Sequence, residues 1–448
     1  MASDGLPDIF KAYDIRGIVP NELNPELAYD IGRAYVSYLG AGRYAVGRDM
    51  RVSSPDLAAA LIRGMRDQGA AVTDIGLIST DGLYFAVGKY SFDGGAMITA
   101  SHNPGEYNGF KLCRSEARPL SIDQGIGDIR DMLANDAIPA PSGDGSVETR
   151  DVLEAFVEHA TSMIDLDVLR PMKVAIDAGN GMAGKLIPPV FERIPGELIP
   201  LYFELDGTFP NHEANPLEPQ NIIDLQRTVV EQGADLGVAF DGDADRMFLI
   251  DEHGEFIGGD MVTAMVAQVM LRKYPGSSIA YNLICSRSVP ETVTRNGGIP
   301  IRARVGHSFI KALMREHDAV FGGEHSGHFY FRDNWYADSG LIAFLTVLEL
   351  LSLEDKSISE TLAPIDTRAR SGEINFEVED QAAALERVRN HFSVADVNEM
   401  DGLTIGFDDW WFNIRASNTQ PLLRLNVEVE EKSSLEERVK AVSDVITG

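Results

Sequence analysis

The chain has 448 residues, more than one compact core usually holds, and its 44% hydrophobic content is ordinary for a soluble globular protein. Acidic residues (69) outnumber basic ones (39), and the net charge of −30 disfavours nucleic acid and anionic membranes as partners. The two cysteines, Cys113 and Cys285, lie too far apart in sequence to read as a disulfide framework, and the first residues lack a signal peptide's basic and apolar regions; a cytoplasmic location is expected.

Residues 10–17 crowd Lys11, Tyr13, Asp14 and Arg16 into one polar strand end. Apolar spacing predicts helices over 26–39 and 55–68, with short strands at 44–47 and 95–98. This alternation argues for α/β layers around a mainly parallel sheet. Thr99-Ala100-Ser101-His102-Asn103-Pro104 follows the second of those strands, so Ser101 sits where the strand ends and proline forces a turn. A serine there either caps a helix or does chemistry. The hydrolase pattern G-x-S-x-G is missing, and the adjacent Ser101 and His102 side chains are expected to diverge. Asn108-Gly109-Phe110-Lys111 reads as a turn carrying a lysine, and Pro, Gly, Ser and Asp over 135–147 read as a linker.

A strand at 173–177 leads into Gly179-Asn180-Gly181-Met182-Ala183-Gly184, which matches G-x-G-x-x-G with Glu204 and Asp206 near the ribose-binding distance. Either a dinucleotide site or a tight strand-to-helix turn accounts for it; Leu186 stands where a P-loop needs Ser or Thr. Asp241-Gly242-Asp243-Ala244-Asp245-Arg246 lies between apolar runs at 236–240 and 247–250. Like charges this close repel unless a cation sits among them, so the loop reads as metal-binding. The spacing resembles an EF-hand, with Glu252 at the twelfth position, but Arg246 replaces the required glycine and the flanks read as strands. Hard oxygen ligands in a short loop suit Mg²⁺ beside a phosphate.

The strand–helix pattern then repeats, with a helix at 259–273, strands at 278–283 and 299–304, and Val305-Gly306-His307-Ser308 after the last. Gly323-Glu324-His325-Ser326-Gly327-His328 follows another short strand; its Glu and two His suggest zinc but lack further ligands. The apolar run at 341–353 contains Glu349 and is too short to span a bilayer, so it reads as a buried helix. Strands at 373–378 and 422–429 with helices at 381–390 and 434–447 predict a small α+β end. Between Trp410 and Leu422, Arg415 offers a fork and Ser417, Asn418 and Thr419 offer donors that suit a phosphate dianion.

Taken together and in this order, the stretches at 99–104, 241–246, 323–328 and 415–419 resemble the α-D-phosphohexomutase superfamily, in its phosphomannomutase/phosphoglucomutase branch. The resemblance spans nearly the whole chain. It implies an α/β fold of four domains around a central cleft: 1–146 with a phosphoserine loop, 147–251 with a metal loop, 252–364 with a sugar loop, and a C-terminal 365–448 with a phosphate loop. The first three are related α/β domains with mixed sheets between helices, and the last is α+β. In the family a stretch similar to the one at 179–184 opens the second domain without binding a nucleotide.

The implied chemistry is a reversible mutase. Phosphorylated Ser101 gives its phosphoryl group to a hexose 1-phosphate, the 1,6-bisphosphate turns over, and the other phosphate returns to Ser101. The resemblance assigns Ser101, Asp241, Asp243 and Asp245 to Mg²⁺, and Ser101, His102, Lys111, Arg16, Arg246 and His307 to catalysis. It assigns Tyr13, Glu324, Ser326, Arg415, Ser417, Asn418 and Thr419 to the substrate. Hexose 1,6-bisphosphate is expected as activator, small sugar phosphates as partners, and a monomer or homodimer as the assembly. His325 stands where phosphoglucosamine mutases typically have glutamine, favouring mannose or glucose phosphates, while Ala416 and Gln420 replace a frequent Pro and Glu.

Overall fold

A computed structural model of the protein describes residues 6–143, 145–393, 395–416 and 422–448. They form four sheets. The first runs Ile15–Ile18, Tyr107–Arg114, Gly94–Ile98, Arg43–Arg48, Ala71–Leu77, Ser146–Thr149, with Arg118–Pro119 beside Tyr107–Arg114. Its four strands from Gly94–Ile98 onward are parallel, and Tyr107–Arg114 is antiparallel to its neighbours. The second runs Phe256–Ile257, Met247–Ile250, Leu236–Phe240, Met172–Asp177, Gly196–Leu201. The third runs Ala337–Asp338, Phe329–Phe331, Phe321–Gly323, Ser278–Asn282, Ile299–Ala303. Each of these two has three parallel strands followed by an antiparallel pair.

All three sheets share one path. The chain leaves a parallel strand, makes a short loop, and returns as the antiparallel neighbour. Ser101, the three-aspartate loop and the 324–328 loop each occupy that turn in their own domain. Such loops lie outside the carboxyl ends of the parallel strands, where α/β sheets bind ligands. The repeat anticipated from the strand–helix pattern is therefore a repeat of topology.

The strands that carry these loops are buried on both faces, as helices on either side of a parallel sheet require; Leu236–Phe240 and Gly94–Ile98 are buried throughout. Helix Gly340–Glu354 is apolar nearly all round and buried over most of its length, started by Ser339 accepting from the Ile342 amide. It belongs to one continuous core shared by the second and third domains, which Phe85 of the first domain also enters, while the rest of the first domain and the last domain have cores of their own. Its Glu349 is neutralised by Lys273 at 2.6 Å. The last sheet is antiparallel throughout, with Ala369–Glu377, Leu422–Val429, Trp410–Ala416, Leu403–Gly406 and Asp396–Asn398 in order. No described helix is long and apolar enough to cross a membrane.

Two local expectations give way to long-range pairing. Asn108 to Lys111 is strand rather than turn, because it pairs with Ile15–Ile18 on one side and Gly94–Ile98 on the other. Within the 135–147 stretch, residue 146 already belongs to the strand Ser146–Thr149, which pairs with Ala71–Leu77, so a division at 146/147 passes through a strand.

Candidate active site

The Gly94–Ile98 strand delivers Ser101 in the left-handed region, φ 52°, which a residue with a Cβ adopts only when its surroundings hold it there. Its hydroxyl donates to Asp241 Oδ2 at 2.7 Å and accepts from Arg246 Nη2 at 3.1 Å. His102 Nδ1 lies 3.2 Å from the same hydroxyl, so the two neighbouring side chains converge rather than diverge. The left-handed backbone at Ser101 accounts for this, since it turns consecutive side chains toward one side. Arg246 also donates to His102 Nδ1. Burial, and then that guanidinium, push the imidazole well below its ordinary value, leaving it neutral.

Asp241, Asp243 and Asp245 are all buried, and their oxygens lie within 4.8 Å of one another. Lys111 Nζ sits 2.7 Å from Asp243 Oδ2 and 2.5 Å from Asp245 Oδ2. Arg246 Nε reaches Asp241 Oδ2 at 3.0 Å, and the Thr80 hydroxyl donates to Asp243 at 2.5 Å. Burial and then the neighbouring carboxylates push Asp241 up to about 7. Burial would also raise Asp243, but Lys111 outweighs it and holds that carboxyl below its usual range. Burial would lower Lys111, but the same carboxylates keep its ammonium protonated.

Two cationic side chains face three carboxylates here, and Asp243 Oδ1 and Asp245 Oδ1 are buried with no hydrogen-bond partner among the described residues. Buried, unpaired carboxylate oxygens at this spacing fit a hard divalent cation. Glu252 is no part of the cluster; it accepts from the Ser359 hydroxyl at 2.6 Å and the Ser359 amide at 3.2 Å. The loop is pressed directly on its neighbours. A Cβ on Gly242 would lie 2.5 Å from the Ser101 carbonyl, and one on Gly181 would lie 2.7 Å from the Gly242 carbonyl. Gly181 of the G-x-G-x-x-G stretch thus serves backbone packing under the three-aspartate loop.

A cavity of about 620 Å³ opens beside Ser101. It brings together Tyr13, Arg16, Ser101, His102, Lys111, Asp245, Arg246, His307, Glu324 and Ser326, all singled out from the sequence. Arg16 donates to Asn103 Oδ1 at 2.5 Å and pairs with Asp14. Glu324 accepts from the Tyr330 hydroxyl at 2.6 Å and the Gly306 amide at 3.1 Å. The Tyr13 ring meets His307 edge-on, centroids 4.9 Å apart. Burial, then Lys311, hold His307 well below its ordinary value. The three-aspartate loop and the 323–328 loop join directly, through a backbone bridge between Arg246 and His328.

His328 and Asp338 also line the wall, and neither has a catalytic or substrate role assigned from the sequence. His328 Nδ1 lies 2.9 Å from Asp338 Oδ2, and Lys311 Nζ lies 2.6 Å from Asp338 Oδ1. The ligand atoms of Glu324, His325 and His328 form no metal-sized group among the described residues; His328 instead lies with Asp245 and Asp338, whose ligand atoms fall within 4.8 Å of one another. Lys311 could have been found from its place four residues after His307 on the helix His307–Glu316, which shares one face. Arg424 also lines the cavity and stands opposite Arg415 in antiparallel register. Arg415 itself is not among the lining residues; its Nη2 donates to Glu373 at 2.8 Å, and Arg424 reaches the same carboxylate at 3.3 Å. Ser417, Asn418 and Thr419 lie outside the described residues.

Known proteins agree with this architecture domain by domain. The family descriptions Phosphoglucomutase/phosphomannomutase alpha/beta/alpha domains I, II and III match residues 7–137, 154–254 and 258–367, and the C-terminal domain matches 373–445. "Phosphohexose mutases" of Xanthomonas campestris pv. campestris is 43% identical over 98% of this chain and 99% of its own. The phosphomannomutase of Salmonella montevideo is 43% identical over 94% of both chains. A crystal structure of a phosphoglucomutase/phosphomannomutase family protein from Burkholderia thailandensis superimposes with a TM-score of 0.90 at 34% identity, covering 98% of this chain and 96% of that one. With four domains matched in order, and Ser101, Asp245 of the three-aspartate loop and the 323–328 loop lining one cavity, the chain belongs to the phosphoglucomutase/phosphomannomutase family of phosphohexomutases.

Proposed function

We propose that the protein interconverts hexose 1-phosphate and hexose 6-phosphate, with mannose preferred and glucose accepted, through a phosphoserine at residue 101. The observation that carries this reading is the Ser101 hydroxyl bonded to Asp241 within the three-aspartate cluster at the cavity. In the first half-reaction the sugar 6-hydroxyl oxygen bonds to the phosphorus of phosphoserine 101. The bond to Ser101 Oγ breaks, and the product is the 1,6-bisphosphate. The sugar then reverses in the cavity. Ser101 Oγ takes the phosphoryl group from O1, which leaves hexose 6-phosphate.

Asp241, Asp243 and Asp245, with an oxygen of phosphoserine 101, would hold Mg²⁺, which supplies charge compensation for phosphoryl transfer. Lys111 and Arg246, already within reach of the aspartates and Ser101, balance negative charge as the Oγ bond breaks. Arg16 sits beside Asn103 of the serine loop and performs the same task toward the sugar side. His307, kept neutral by burial, exchanges the proton of the reacting hydroxyl. His102, neutral and fixed by Arg246, orients the serine. Glu324 and Ser326 bind the ring hydroxyls, with Tyr13 closing the wall. Arg415 and the 417–419 loop clamp the phosphate that is not reacting. Hexose 1,6-bisphosphate activates protein that lacks the phosphoryl group. A cytosolic setting suits two free, buried cysteines.

Mannose is favoured because phosphomannomutases stand among relatives at 43% identity, and because of His325 in the sugar loop. Phosphoglucosamine mutase activity is the second reading. A side-by-side measurement of kcat/KM for mannose, glucose and glucosamine 1-phosphates tests both. The expected order is mannose or glucose well above glucosamine; a preference for glucosamine would overturn it.

A further inference from the structure

We propose that Arg51 is the positioning residue of the reacting serine: its guanidinium fixes the backbone of residues 101–107 so that Ser101 faces the aspartates. Arg51 lies outside the cavity wall, and its side chain is wholly buried. Nη1 donates to the carbonyls of Pro104 at 2.7 Å and Tyr107 at 2.9 Å. Nη2 donates to the carbonyls of Ser101 at 2.9 Å and Asn103 at 2.6 Å. All four Nη hydrogens therefore go to one loop, and that loop is the one carrying the nucleophile. A buried arginine more commonly answers a carboxylate or phosphate with its fork.

The fork is itself held on two sides. Nε lies 3.2 Å from Asp49 Oδ2. Asp49 Oδ1 accepts from the Arg51 amide at 3.0 Å and the Ser54 hydroxyl at 2.6 Å. The Phe209 ring of the second domain covers the guanidinium, 5.1 Å from its carbon. The loop needs this support because Ser101 is left-handed at φ 52° without being glycine. Two further contacts hold its other side: the Ser101 amide donates to Thr99 Oγ1 at 2.9 Å, and the Ser101 carbonyl faces Gly242 of the metal loop. Arg51 is thus placed to keep the Oγ 2.7 Å from Asp241 Oδ2 while touching no reacting atom.

The inference rests on Ser101 as phosphoryl carrier, so the test first measures phosphoserine 101 in the wild type. An unmodified wild-type serine during turnover would remove that premise; the variants then test Arg51 alone. Arg51→Lys keeps the charge, the Asp49 partner and the contact with Phe209, but cannot reach four carbonyls at once. Its kcat should fall by about 10²-fold or more, the effect of roughly 1 Å of misplacement, with KM for the hexose phosphate within about threefold. The ³¹P resonance of phosphoserine 101 should shift or broaden. Arg51→Ala should lose more and regain part of its kcat on adding guanidinium ion. A folded Arg51→Lys protein with wild-type kcat and an unchanged ³¹P resonance would overturn the assignment. Outright unfolding of both variants, or loss in proportion to the unfolded fraction alone, would overturn it too, since Arg51 would then be a structural residue.

Discussion

Removing Lys111 separates its two duties, charge balance in the folded site and assistance to transfer. At 2.7 Å from Asp243, two unit charges attract by about 6 kcal/mol at an effective dielectric of about 20. A second contact of the same kind goes to Asp245. Burying the ammonium offsets much of this, and deleting one partner of a buried pair typically costs about 3–5 kcal/mol net. Lys111→Met keeps much of the volume and removes the charge. In chelator the variant should melt well below the wild type, because three buried carboxylates then face Arg246 alone. Excess Mg²⁺ should raise its melting temperature by more than it raises that of the wild type, since no ammonium competes for Asp243 and Asp245. Each tenfold gain in affinity adds about 1.4 kcal/mol to that difference. The kcat should drop by about 10²–10⁴-fold even at saturating Mg²⁺. Scanning calorimetry with and without Mg²⁺, beside a coupled mutase assay, reads all three. A variant as stable as wild type in chelator, with an equal or smaller Mg²⁺ shift, would refute the charge-balance role.

Three further outcomes are expected. Asp243→Asn should lower kcat by several orders of magnitude, and excess chelator should abolish wild-type activity until Mg²⁺ is restored; steady-state rates check both. Arg415→Ala should lower kcat/KM for the 1-phosphate and the 6-phosphate to a comparable degree, each by about 1.5–3 kcal/mol of binding, because one clamp serves both orientations. Loss for one isomer alone in paired forward and reverse assays would rule that out. Asp81 is wholly buried, and burial raises its carboxyl to about 8 while Ser339 donates to it at 2.7 Å. The folded state therefore holds this proton where the unfolded chain has lost it. Stability falls as pH rises from the ordinary carboxylate range to about 8, by at most about 1.4 kcal/mol per pH unit from this group, and levels off above. Asp81→Asn should flatten that slope in denaturant titrations between pH 5 and about 8; an unchanged slope would show that Asp81 is ionised in the fold.

The parts of the site legible in the sequence are those whose chemistry is local. Three aspartates alternate within one loop, so short-range pattern suffices there, while Ser101, between a strand and Asn-Pro, reads as either a cap or a chemical group until the four stretches are taken together. What the sequence hid depends on register and backbone angle. Lys111 reaches Asp243 because its strand is wedged between two partners, which no local propensity announces. His102 turns toward Ser101 because of one left-handed residue. Asp338 sits on the short return strand Ala337–Asp338, ten residues beyond His328, and meets it through hairpin pairing. Arg424 enters the cavity wall across from Arg415 through antiparallel register. The glycine-rich turn at 179–184 is ambiguous for a related reason: Gly181 and Gly184 answer carbonyls brought near by tertiary packing, a use indistinguishable in sequence from phosphate binding.

The phosphoryl carrier can be tested by one measurement. Incubating the protein with hexose 1,6-bisphosphate and Mg²⁺, then mapping peptides by mass, should place one phosphoryl group on Ser101. Adding unlabelled hexose 1-phosphate should remove it at a rate no slower than kcat. Turnover at full rate with Ser101 never modified, or an equally active Ser101→Ala protein, would contradict the mechanism.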